Sequence, residues 1–230
     1  MSVIEIIQAE QVGKQHSLAD MHKVRKCIFK DRMGWDVDIT QDGLEIDNYD
    51  VAPTVYILVR DDRQRIVGVW RLTPTTGPSM IREIWPQFLK HFPVPASDDI
   101  WELSRFGVHS YDNHRQDHIH HVNVVTAQLI LTLIQTCILV DIPYVYTMYH
   151  KAVGRSIQRV GFIPDAVSQE ELVDGKPGVV VRFPMNSTTL ERVQHRTGLS
   201  SMVKEQDLPP ILRQRISGIV NPHKTVAAYA

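Results

Sequence analysis

Trp101-Glu102-Leu103-Ser104-Arg105-Phe106-Gly107-Val108-His109 is a run in which aromatic and aliphatic residues alternate with polar ones, the pattern of a β-strand. It nevertheless carries a carboxylate, a hydroxyl and a guanidinium where a strand serving only as scaffold would carry Val or Ile. Period-2 geometry puts Glu102, Ser104, Phe106 and Val108 on one face, with Trp101, Leu103, Arg105 and Gly107 on the other. Charged groups inside a sheet are costly unless paired, so the rest of the chain has to supply partners.

Working outward, residues 3–7, 54–60 and 66–72 read as strands, the last two joined by the polar turn at 61–65. Gly68 predicts a bulge or a close backbone approach. Leu18, Met21, Val24 and Ile28 mark a helix over 18–29, and Ser79 can cap a helix running toward Leu89. Downstream, 122–140 is a long apolar helix whose Gln128, Thr132, Gln135 and Thr136 form one polar stripe, too interrupted for a membrane span. Pro143 ends it. A strand over 144–149, a helix over 151–160 stopped by Gly161 and a strand over 179–183 follow. This order predicts an α/β (α+β) fold: three layers, α-β-α, around a mixed and mostly antiparallel sheet. Residues 1–185 are expected to form one domain, and 186–230 an appended tail, partly helical or disordered.

A formal net charge of −1 over 230 residues leaves no global basic field for nucleic acid. Cys27 and Cys137 fall in apolar helical patterns and read as reduced core thiols. The first residues lack the features of a signal peptide, so the expectation is a soluble cytoplasmic protein, a monomer or weak oligomer, with no membrane partner. No Gly-x-Ser-x-Gly elbow, Walker loop, dinucleotide-binding glycine fingerprint or Cys-x-x-Cys occurs. Hydrolase, P-loop and nicotinamide chemistry are thereby disfavoured.

Four constellations remain. Glu102, half-buried on a sheet, reads either as a general base for an amine or as a structural ion-pair partner. Asp47 and Asp50, in a long acidic segment, can pair with Arg25, Arg71 and Arg105, three arginines at positions that should be apolar. That set could serve a substrate or simply pin the loop. His109, His114, His118, His120 and His121 invite a zinc reading, but no Cys pair or His-Glu-x-x-His accompanies them, and the expectation is no metal. Lys151, Arg155 and Arg159 share one helical face and can receive an acidic partner.

Taken together, Arg25, Phe29, Trp35, Asp47-x-x-Asp50, Arg71 and Glu102-x-x-Arg105 resemble the signature of the LuxI-type acyl-homoserine lactone synthases, the autoinducer synthases of quorum sensing. The strings Glu45-Ile46-Asp47-Asn48-Tyr49-Asp50 and Gly68-Val69-Trp70-Arg71-Leu72-Thr73-Pro74-Thr75 are similar to that family's too. The resemblance spans roughly residues 3–185 and implies a fold like that of the GNAT-type N-acetyltransferases. It implies an acyltransferase whose substrates are S-adenosylmethionine, rather than a separate cofactor, and a fatty acyl group on acyl carrier protein. Glu102 would be the base, with Arg105 and Ser104 beside it on the strand. Arg25, Phe29, Trp35, Asp47, Asp50 and Arg71 would form the S-adenosylmethionine pocket. Phe106 and Ser104 would line the acyl channel, and Thr147 would favour 3-oxo chains. The 110–118 segment has no glycine where a coenzyme-A enzyme would carry a pyrophosphate loop, which favours a carrier protein docked on Lys151, Arg155 and Arg159. A coenzyme-A-dependent N-acyltransferase acting on another amine is the alternative.

Overall fold

Alternating hydrophobicity builds β1 (Val3–Gln8), β2 (Val55–Arg60), β3 (Ile66–Pro74), β4 (Ile100–Val108), β5 (Tyr144–His150), β6 (Ala166–Val167), β7 (Glu171–Val173) and β8 (Lys176–Pro184). The computed structural model describes residues 2–111, 115–200 and 203–218, with 115–123 as helix backbone. The strands form one sheet in the order β1-β2-β3-β4-β5-β8-β6, with β7 also on β8. Neighbours are antiparallel except β4 and β5, which run parallel. The helices are α1 (Gln15–Arg25), α2 (Met80–Glu83), α3 (Arg115–Leu139), α4 (Lys151–Arg159), α5 (Ser187–Thr197) and α6 (Pro210–Ile216).

Both faces of the sheet are covered, giving the three layers expected. On one face Ile57, Trp70, Leu72, Trp101 and Leu103 pack against Leu129, Leu133 and Ile134 of α3. On the other, Tyr56, Leu58 and Val69 meet Met21, Val24, Ile28 and Phe29 from the α1 side. At Gly68 α3 packs close against the sheet: a Cβ there would stand 2.6 Å from Val125 Cγ1. The helix expected to run from Ser79 toward Leu89 is a single turn, α2, followed by a 3₁₀ turn at Pro86–Lys90. Pro86 has no N–H to continue an α-helix. Residues beyond 185, expected as an appended tail, bury Val193, Leu208 and Leu212 in the main core. Arg215 also donates to the carbonyls of Val140 and Asp98.

Two irregularities shape β4. Ser104 pairs with Arg71 and Gly107 with Val69, so Arg105 and Phe106 together oppose the single Trp70. This is a β-bulge, and Arg105 occupies the left-handed region at φ 54°. The bulge corrects the alternation expected for this strand. Arg105 joins Glu102 and Ser104 on the α1 face, and Gly107 faces Ile28, whose Cδ1 would lie 2.8 Å from an added Cβ. Phe106 and Val108 instead join Trp101 and Leu103, with Phe106 edge-on to Trp70 at 5.0 Å. The second irregularity is that β4 and β5 pair only from Ile100/Tyr144 to Leu103/Thr147. Both strands continue, to Val108 and His150, without a shared ladder.

Candidate active site

The last turns of α1 widen into a π-helix, Lys26–Arg32, a distortion frequent at functional sites. It carries Phe29, which stacks on Trp35 with centroids 5.2 Å apart and planes 20° apart. One turn earlier, Arg25 is fully buried. Its two terminal nitrogens bind both oxygens of Asp50 at 2.6 and 2.9 Å, a bidentate pair, and its Nε donates to Glu45.

Arg71, from β3 and equally buried, donates to Asp47, to Asp50 Oδ1 (2.9 Å) and, through Nε, to Ser104 Oγ (2.9 Å). Arg105 completes the set, with Nε 3.1 Å from Glu45 Oε1 and Nη2 2.6 Å from Asp47 Oδ2. Three guanidinium groups thus face three carboxylates, Glu45, Asp47 and Asp50. Burial opposes the ionised form of Asp50, but Arg25 and Arg71 outweigh it and hold its carboxyl far below the usual carboxylate range. Burial works equally against the Arg25 charge, and Asp50 and Glu45 reverse it, keeping the guanidinium firmly protonated.

The acidic segment is shaped by its own bonds as well. The Tyr49 N–H donates to Asp47 Oδ1 and the Asp47 N–H to Asp50 Oδ2, each at 2.9 Å. Tyr56 donates its hydroxyl to Asp50 at 2.8 Å. Tyr49 donates its hydroxyl to Glu83 of α2 at 2.9 Å, and burial together with that carboxylate pushes the phenol up to about 12. His22 Nδ1 lies 2.7 Å from the Glu45 carbonyl, and burial, reinforced by Arg25, lowers its pKa.

Glu102 sits on the same face of β4, 3% exposed. Its carboxylate receives the Ser79 hydroxyl and the Ile81 N–H, the latter at 3.2 Å. Burial raises its pKa, and those two donors with Arg71 and Arg82 only partly offset the rise. Past Met80, whose neighbours Ser79 and Ile81 hold Glu102, opens a cleft of about 310 Å³ lined by Asp36, Val37, Asp38, Asp47, Asn48, Tyr49, Met80, Ile84 and Arg105. Three of the lining side chains are carboxylates; Asp47 is paired with Arg71 and Arg105, which leaves Asp36 and Asp38 to face a ligand. A cationic ligand suits the cleft.

The structure therefore brings together Arg25, Asp47, Asp50, Arg71, Ser104 and Arg105, sets Phe29 under the Arg105 guanidinium at 5.5 Å, and places Glu102 on the same face. Phe106 and Thr147 lie on the opposite face. The Thr147 hydroxyl donates to the Leu103 carbonyl at 2.9 Å, where the β4–β5 ladder ends. Lys151, Arg155 and Arg159 are exposed on α4, and Lys151 is paired with Glu170. Sequence reasoning gave no role to Glu45, Tyr49, Tyr56 or Met80, and took Ser79 only as a cap. Glu45 had one signal, its period-2 spacing from Asp47.

Among the described residues no group of three or more His, Cys, Asp or Glu side chains is arranged for a metal ion. The side chains of His114, His118, His120 and His121 lie outside those residues. Among the described residues, too, no helix is long and apolar enough to cross a membrane. Cys27 and Cys137 are both free thiols.

Residues 10–193 match the family model described as autoinducer synthase. An acyl-homoserine-lactone synthase of Pseudomonas aeruginosa is 40% identical over 110 residues, 47% of this chain and 54% of that protein. The chain thus spans about half the length of that relative. An isovaleryl-homoserine lactone synthase of Bradyrhizobium diazoefficiens is 28% identical over 212 residues, covering 91% of this chain and 90% of that one. Among solved structures, a CoA-dependent acyl-homoserine lactone synthase with SAM and isopentyl-CoA superposes with TM-score 0.75 at 26% identity, over 89% of this chain and 93% of its own. The AHL synthase LasI superposes with TM-score 0.70 at 28% identity, over 89% and 98%. The arginine–carboxylate wall, the parted strands and the match over 10–193 have one conclusion: this chain belongs to the autoinducer synthase family, a family of acyltransferases.

Proposed function

We propose that this chain makes an N-acyl-homoserine lactone from S-adenosylmethionine and a thioester-bound acyl group. The observation that carries the reading is the cleft of Asp36, Asp38 and Asp47, lined also by Met80, whose neighbours Ser79 and Ile81 hold Glu102, in a chain of this family. S-adenosylmethionine brings a sulfonium and an ammonium, two cations for Asp36 and Asp38, and a carboxylate for the Arg105 side of the cleft. In this reading Phe29 and Trp35 close one side of the pocket. Arg25, Asp50 and Arg71, fully or almost fully buried, shape the wall rather than touch the substrate. Arg105 and Asp47 belong to both wall and cleft.

Glu102 takes a proton from the substrate ammonium, directly or through a water, and its burial-raised pKa suits that task. The freed amine attacks the thioester carbonyl; a C–N bond forms, the C–S bond breaks and the carrier thiol leaves. Backbone N–H groups where β4 and β5 part are suited to the developing oxyanion. The substrate carboxylate then displaces methylthioadenosine from its own γ-carbon, closing the lactone. Ser104 is a positioning residue through its bond to Arg71.

For the donor, the exposed Arg155 and Arg159 with Lys151 favour acyl carrier protein, an acidic partner. Coenzyme A is the second reading, favoured by the CoA-dependent synthase that superposes at TM-score 0.75. A 3-oxo product would require the Thr147 hydroxyl to turn from Leu103 to the substrate. The site of action in this reading is the cytoplasm, where S-adenosylmethionine and acyl thioesters are made. The test is mass spectrometry of reactions of purified protein with S-adenosylmethionine and matched sets of acyl-carrier-protein and acyl-coenzyme-A donors. A lactone, with stoichiometric methylthioadenosine, is expected. Folded protein that binds S-adenosylmethionine yet yields none with any donor would sink the reading.

A further inference from the structure

Glu102 is not oriented by its own strand. Its carboxylate is gripped by the start of α2, through the Ser79 hydroxyl and the Ile81 N–H. The same Ser79 oxygen accepts the Arg82 N–H at 3.3 Å, which makes it the N-cap of that turn. The Ser79 N–H donates to Glu83 Oε1 at 3.1 Å, and Glu83 Oε2 takes the Tyr49 hydroxyl from the cleft wall. A Gly-Pro-Ser start to a four-residue helix needs a cap, and an Asn or Asp would serve it as well. Aspartate could not also donate to a buried carboxylate, and asparagine could do so only through the amide of a longer side chain. Ser79 is 1% exposed, so its hydroxyl has no solvent to satisfy it instead.

We propose that Ser79 is a positioning residue for the acyl transfer, its hydroxyl fixing one oxygen of the Glu102 carboxylate against the start of α2. The proposal rests on the reading of Glu102 as the base. A donor to the ionised carboxylate favours that form, so losing it leaves burial less opposed. The other groups facing Glu102 are Arg71 from β3 and Arg82 from α2, which act on it through their charge. Tyr49 faces it from the acidic segment with its hydroxyl turned to Glu83, and Tyr146 is its neighbour across β5.

The experiment is the pH profile of kcat/KM for lactone formation by wild type, Ser79→Ala, Ser79→Gly, Ser79→Thr and Glu102→Gln, with S-adenosylmethionine binding measured on each as a check of fold. A hydrogen bond to a charged group corresponds to about one to two pH units. The acid limb is expected to move up by about that much in the Ala and Gly variants and to return in Thr, which keeps the hydroxyl. Glycine still starts a helix, so it carries the test if Ala does not fold. An acid limb unmoved in Gly, with the rate lowered equally at every pH, would make Ser79 a helix cap only and overturn the proposal. If Glu102→Gln retains wild-type turnover, the base reading itself fails and this inference with it. An inactive Glu102→Gln with an unmoved limb in the Ser79 variants removes the Ser79 role alone.

Discussion

Arg105 reaches back 60 residues to Glu45, with its Nε 3.1 Å from Oε1, from a left-handed backbone conformation that side chains other than glycine seldom adopt. The ion pair and the strained backbone occur in one residue, and they can be separated by substitution. Arg105→Gly loses the guanidinium but relieves the backbone; Arg105→Ala loses it and keeps the strain. Both leave Glu45, which is 0% exposed, with Arg25 alone. Losing one partner of a buried ion pair costs about 3–5 kcal/mol, and Ala should be the worse by roughly 1 kcal/mol. Urea unfolding of the two variants checks the order, the reverse of what glycine normally does inside a strand.

Asp50 makes the fold acid-sensitive. Its folded pKa lies below the ordinary 3.8, so the unfolded chain takes up its proton first as pH falls. The stabilisation it confers is therefore complete above 3.8 and is lost as pH falls below that value toward the folded one. Asp50→Asn should be markedly less stable than wild type at pH 6, and the gap should narrow by pH 3. Denaturant midpoints at the two pH values measure it. A constant gap would show that the Asp50 pKa is the same in the folded and the unfolded chain.

Thr147 holds the last rung of the β4–β5 ladder through Leu103. Thr147→Val removes the hydroxyl with little change of volume. If that hydroxyl also recognises a 3-oxo group, the ratio of 3-oxo to unsubstituted product should fall about five-fold, the worth of a hydrogen bond near 1 kcal/mol. Product ratios from a mixed-donor reaction decide it, and an unaltered ratio leaves Thr147 a strand residue.

Charge reversal at Arg155 and Arg159 should raise KM for acyl carrier protein about ten-fold or more, steeply dependent on salt. KM for S-adenosylmethionine and for acyl-coenzyme A should hardly move. Lys151 is the less informative site, since Glu170 already engages it. Equal effects on both donors would point to damage to α4 rather than to docking.

Much of this architecture was legible from pattern. The strands of the sheet core and the long helix follow from hydrophobic periodicity, and the three misplaced arginines correctly announced a carboxylate partner set. What escaped is what periodicity cannot encode. The bulge inverts the side on which Arg105 and Phe106 fall, and nothing in nine alternating residues says where a strand gains one. Glu45 escaped because only its period-2 spacing from Asp47 marked it, and the arginines it binds already had Asp47 and Asp50 as partners. The residues after 185 looked polar because α5 and α6 bury only a few side chains each, among them Val193 and Leu212.

The bulge at Arg105 also makes β4 a strand that counts. Before it, odd positions face α3; after it, even positions do, so the two ends of one strand are out of phase by design. Deleting Arg105 would restore strict alternation and leave Phe106 and Val108 on the α3 core, but would remove the guanidinium that Glu45 and Asp47 share. Inserting a residue between Trp101 and Leu103 would instead turn Trp101 away from the α3 core. The polar turn at 61–65, by contrast, can change length without altering which way any buried side chain points. Evolution in this chain is free to lengthen its turns, whereas β4 can lose a residue without turning its core side chains only at the bulge, where the residue lost is one that holds the acidic segment.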